Sequence, residues 1–270
     1  MKKIIALIIF LNFFLAGAVF SQSPTPNDAY ATAYQAYIDK NGIYQSAHND
    51  YLTARASYFA SGSLDSQAKA MAATLKMLKA RDDVLVFYLY ALKAKVAVSS
   101  GVSDVDKNSV TSAIDGEVSF YNTHNTKLDS AGSLNDLISD SDEAKAQYTN
   151  STALTIYTVL IDLGAGENNS IRTQIVNEIT LLRAKIDEIK ANQDKDVSTI
   201  ERYLIDVQNK ISRSADKDNS AKTLIGSIKP SDSQISTAFT DAQTALTDSN
   251  SYLKEANQQL LQIITLIKTN

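Results

Sequence analysis

The sequence predicts an all-α protein of long antiparallel helices, assembled as elongated helical bundles or coiled-coil hairpins. Three observations lead there. Only nine glycines and three prolines occur in 270 residues, and turns need these residues, so the chain must run in long elements. Apolar residues recur at alternating steps of three and four, which keeps them on one helical face. None of the helices assigned below is apolar on all sides, so each needs neighbours to cover its stripe.

Met1-Lys2-Lys3 is followed by an uncharged, mostly apolar run from Ile4 to Phe20 and small residues at Ala16-Gly17-Ala18. Basic start, apolar middle and small-residue exit predict a secretory signal peptide over 1–21, cleaved after Ala18 or Ser21. Retention as an uncleaved anchor is the alternative. A linker over 22–26 follows, containing Pro24 and Pro26.

The first helix is expected over 27–60. Tyr30, Tyr37, Tyr44, Tyr51 and Tyr58 fall one heptad apart, with Ala33, Lys40, Ala47 and Ala54 between them. Ser61-Gly62-Ser63 ends it. The second, over 64–99, carries an unbroken stripe from Leu64 through Leu78, Leu89 and Leu92 to Val96, in which Asp82 is the one polar member. So short a connection makes this pair antiparallel, which sets Tyr58 near the start of the second helix and Tyr30 near Leu92 to Val96.

Ser99-Ser100-Gly101 leads to a third helix over 104–129, with Val110, Ile114, Val118, Tyr121 and Leu128 inward. A fourth is expected over 134–163, weak in its first half, where Leu137 and Ile138 precede a polar stretch. Gly164-Ala165-Gly166 reads as a break. It would divide a four-helix unit, 27–163, from a three-helix unit, 167–270. In the latter, Ile171 to Ile189 marks a fifth helix over 169–191 and Val197 to Ile211 a sixth, with continuation to Ile228 as its longer reading. Pro230 stops the sixth. A seventh begins after the capping candidates Ser231 and Asp232, along a stripe from Ile235 to Ile267.

Composition narrows function. Of 26 basic residues, 24 remain without Lys2 and Lys3, against 30 acidic ones. A mildly acidic chain lacks the basic footprint of nucleic-acid binding, and the same charge argues against an anionic membrane surface once the signal is removed. The absence of cysteine excludes disulfides, thiolate metal sites and thiol catalysis. The longest apolar run past the signal, Val84 to Leu92, is too short to span a bilayer.

Two features invite a functional reading. The tyrosine stripe is either an interaction surface or a packing seam, and the Ala- and Leu-rich second helix favours packing. Asp82, on an apolar seam, is expected to form a buried ion pair with Lys40, His48 or Arg55 of the first helix, fixing register. His48 and His124 have no second ligand at zinc spacing and read as surface or helix-edge residues. Asp104, Asp106, Asn108 and Asp115 partly match a calcium loop, but Ser109 replaces its glycine and Thr111 its apolar anchor. Asp104 reads instead as a helix cap. Asp140-Ser141-Asp142-Glu143 and Asp216-Lys217-Asp218 read as solvated acidic faces, and the sequons at Asn150 and Asn168 as chance. The sequence supplies no catalytic residue, cofactor site or metal site.

The Tyr-x6-Tyr spacing ahead of Ala80-Arg81-Asp82-Asp83-Val84-Leu85 and Tyr88-Leu89-Tyr90-Ala91-Leu92 resembles exported all-helical bacterial proteins with a tyrosine-rich first helix. The resemblance implies export and an all-helical fold and brings no activity. The resulting expectation is a non-enzymatic structural or protein-interaction module of the cell envelope, found in the periplasm, at the cell surface or outside. Its partners would be proteins, with self-association possible. A membrane-active, toxin-like protein that rearranges to expose Val84–Leu92 is the alternative.

Overall fold

The computed structural model describes residues 28–192, 196–229 and 234–269. The export segment, the linker over 22–26, Asn27, Pro230, Ser231 and Asp232 lie outside these residues. The elements are α1 (Asp28–Ser61), α2 (Leu64–Val98), α3 (Asp104–Lys127), a 3-10 turn (Leu128–Ser130), α4 (Leu134–Gln147), a π turn (Tyr148–Thr152), α5 (Ala153–Asn192), α6 (Ser198–Gly226) and α7 (Ile235–Thr269). Among the described residues there is no strand, and the helices pack as a bundle.

The helix ends follow local chemistry. Gly62 adopts φ +60° and donates its N–H to the Tyr58 carbonyl at 2.9 Å, closing α1 in a conformation that glycine takes without penalty. Ser63, Ser103 and Ser133 accept from the N–H three residues on, capping α2, α3 and α4. The cap of α3 is therefore Ser103, not Asp104.

α1 and α2 form the expected antiparallel pair. Lys40 meets Asp83 at 2.7 Å, Asp50 meets Lys76 at 2.9 Å, and Lys95 lies over the Tyr30 ring. α6 and α7 pair likewise through Lys210–Glu255 and Lys217–Asp248.

One apolar core joins Leu89, Leu92 and Val96 of α2 to Ile114, Val118 and Tyr121 of α3 and Ile156 and Val159 of α5. A second joins Ile175, Ile179 and Ile186 of α5 to Leu204 and Val207 of α6 and Leu253, Leu260 and Ile263 of α7. A small third cluster packs Leu78, Leu128 and Leu137.

The break expected at Gly164–Gly166 does not form: α5 runs through it as one helix of 40 residues. These glycines serve close packing. A Cβ on Gly101 would lie 1.8 Å from the Gly166 carbonyl oxygen, one on Gly166 would lie 2.5 Å from Val102 Cγ2, and one on Gly164 would lie 2.7 Å from Leu246 Cδ1. No loop therefore separates 27–163 from 167–270, and the first core also draws Ala221, Ile225, Ala242 and Leu246 from α6 and α7. The fourth helix differs too. α4 stops at Gln147, a π turn intervenes, and Ile138 points outward, 58% exposed. Leu64, placed on the inward stripe by its spacing, is 84% exposed because α2 begins beyond the helices that cover its later turns.

Candidate functional site

Two places hold the residues singled out by the sequence. The first is the tyrosine face of α1. Tyr37 is buried and packs against the Tyr88 ring at 5.3 Å, whereas Tyr30, Tyr44, Tyr51 and Tyr58 are half-buried. Tyr34 stands between Tyr30 and Tyr37, and His48 between Tyr44 and Tyr51, so the rings form a ribbon along one edge of the helix. Burial raises the phenol pKa of Tyr30, Tyr37 and Tyr44 above the ordinary tyrosine value. α2 covers one side of the ribbon. Beyond its other side Ile38, Leu52 and Phe59 are 40%, 44% and 71% exposed, with the Arg55 guanidinium 5.0 Å over the Phe59 ring.

The second place surrounds Asp82, which is fully buried as its position on the stripe demands. Its partner is not on α1. Lys40 is taken by Asp83, His48 lies between two tyrosines, and Arg55 covers Phe59. Asp82 Oδ2 instead lies 2.5 Å from Nδ1 of His124 on α3, and Arg81 Nη2 lies 3.5 Å from Asp82 Oδ1. His124 is thus a core residue, 2% exposed and stacked on Phe120, not a surface one. The stripe of α3 contained this signal, since His124 occupies the slot between Tyr121 and Leu128.

His124 Nε2 lies 2.9 Å from the Asp140 carbonyl oxygen, which can only accept, so Nε2 carries a proton. Nδ1 faces a carboxylate. Burial alone would depress the imidazole pKa, but the hydrogen bond and charge of Asp82, with the Asp140 carbonyl, outweigh it and the net pKa is raised. With both ring nitrogens engaged, His124 ties α2, α3 and α4 together and offers no free nitrogen to a metal. Ligand atoms of His124, Asp140 and Glu143 do lie within 4.8 Å of one another, but the Lys127 ammonium binds both carboxylates. Asp140 is buried, whereas Asp142 and Glu143 are exposed, so only the latter part of this acidic run is a solvated face.

Three further polar clusters escaped the linear pattern. Glu117, buried on α3, accepts from Gln147 Nε2 at 3.0 Å, from Thr152 Oγ1 at 2.6 Å and from Ser151. Thr152 spends its proton on Glu117, so Tyr121 donates to Thr152 at 2.9 Å. These bonds hold the π turn, and they engage the Thr152 hydroxyl of the Asn150 sequon. Between α5, α6 and α7, Asp218 takes Arg172 and, at 2.8 Å, Asn168. Asp218 is buried, whereas Asp216 is exposed as expected, and Asn168 of the second sequon is sealed in the same layer. Lys222 joins Asp106 at 2.7 Å to Asp162 at 3.1 Å, while Asp115 meets Lys93 at 2.6 Å. Two carboxylates of the calcium-like pattern are therefore engaged by different cations. Each of these clusters crosses between helices, and the arrangement fixes register and orientation.

The chain is all-helical with a tyrosine-rich aromatic cluster toward its N-terminus, and no protein-family model, curated protein or solved structure matches it.

Proposed function

We propose that this protein is a non-enzymatic module, exported by its first 21 residues to the periplasm, cell surface or medium, that acts by docking a protein on the free flank of α1. One observation carries this reading. α1 is 34 residues long, packs against α2, and keeps Ile38, Leu52 and Phe59 accessible beside its tyrosine ribbon. A lone exposed apolar residue is ordinary; three at heptad-related positions make a strip that suits a helix or an apolar groove. Against catalysis stands the chemistry of Asp82, which is sealed from solvent and paired with a histidine that has no free nitrogen.

The membrane-active alternative is less well supported. Val84, Val86, Leu89 and Leu92 are core residues, and exposing them would dismantle the first core. The test compares the native chain with Leu52→Asp, measuring retention in the envelope fraction and binding to liposomes. Retention lost in the variant, with no lipid binding by either, is the expected result. Lipid binding that exposes Tyr88, which the fold covers, to quenching would replace the docking reading with the membrane-active one.

A further inference from the structure

The free flank of α1 is self-complementary. Ala31, Ile38, Gln45, Leu52 and Phe59 lie one heptad apart, on a single stripe adjoining the tyrosines, and all five are exposed. Reversed about Gln45 the stripe matches itself: Ile38 falls opposite Leu52, and Ala31 opposite Phe59. We propose that α1 pairs antiparallel with α1 of a second copy of this chain, about a two-fold axis at Gln45. This rests on the docking reading of α1 and names its occupant.

The flanking positions agree with that register. On the side of the tyrosine ribbon, Tyr34 falls opposite the partner's Arg55 and Asn41 opposite the partner's His48. The first is a cation–π pairing, the second a hydrogen-bonding pair, and no like charges meet. On the other side, Gly42 falls opposite the partner's Asn49 and Gln35 opposite the partner's Ala56. Gly42 has no side chain to hold the facing helix away, and a Cβ there would meet nothing within 4 Å in its own chain, as at Gly116 and Gly226. The large Phe59 against small Ala31 and the two Gln45 amides facing one another at the axis complete an isologous interface, in which every contact occurs twice.

The chain has no cysteine, so a single introduced thiol reports one position. The purified chain should sediment at twice its own mass, and Leu52→Asp should raise the dimer Kd about 100-fold or more, because the substitution acts on both sides of the axis. Helicity should stay unchanged, since Leu52 is exposed. On mild oxidation Gln45→Cys should form a covalent dimer. Ile38→Cys alone should not, because antiparallel pairing holds two such residues about 21 Å apart, but an equal mixture of Ile38→Cys and Leu52→Cys should. Ile43→Cys, on the opposite flank, should stay monomeric. Self-linking of Ile38→Cys would show parallel pairing and overturn the register. A monomer at all concentrations would overturn the dimer. In that case, retention in the envelope still lost on Leu52→Asp would leave the docking reading standing, and retention unchanged would remove both.

Discussion

A histidine whose two ring nitrogens both face oxygen acceptors is favoured toward its doubly protonated form, and His124 is such a residue. Its folded pKa lies above the ordinary value, so its contribution to stability is complete below the unfolded histidine pKa of about 6.5 and is lost as pH rises through the folded value. Denaturant titrations at pH values rising above the unfolded value should show that decline, and His124→Leu should abolish it. The same substitution should cost about 3–5 kcal/mol at neutral pH, the penalty for leaving a buried charge without its partner. A variant as stable as the native chain, with the same pH slope, would mean that the pair is not ionic. Asp82 could be read as buried from its place on the stripe. Its partner could not, because spacing along α2 identifies the inward face and leaves open which neighbour lies there. His124 was overlooked because an isolated histidine is ordinarily a surface residue, although its slot between Tyr121 and Leu128 gave its burial away.

Among the elements, α1 is the least buried for its length, so its tyrosines should differ in cost according to how far α2 covers them. Tyr37, 4% exposed, should cost about 3–5 kcal/mol when truncated to alanine, and half-buried Tyr44 roughly half as much by its smaller lost area. Equal and small losses, read by chemical denaturation, would show that the seam contributes no packing. Glycines provide a second comparison. Gly116→Ala, in the open middle of α3, should stabilise by up to about 1 kcal/mol. Gly101→Ala should destabilise by about 1–3 kcal/mol or more, because its methyl would overlap the Gly166 carbonyl. Thermal midpoints moving the same way in both variants would refute the close approach. The helices themselves were legible from their three-four spacing, and their ends from the Ser-Gly punctuation. The π turn was not, since Glu117 stabilises it from α3, far away in sequence.

At the scale of the whole molecule, α5 contributes its first half to one core and its second half to the other. The sequence led us to expect two units because a Gly-Ala-Gly run signals a turn as readily as a tight helix crossing, and only the position of Gly101 and Leu246 in space distinguishes them. Limited proteolysis should therefore spare Gly164–Gly166, whose backbone is helical and packed, and a preferred cut there yielding two stable fragments would support the division into two units. The continuity of α5 also bears on the order of events during synthesis. Domains commonly fold N-terminal part first as the chain emerges. Here the first core needs Ile225 and Leu246, so the early helices have no complete core to enter until nearly the whole polypeptide has been made. Under the export proposed above, a chain whose first core stays unfinished until its last helix arrives is well suited to being threaded through a narrow channel before it closes on itself.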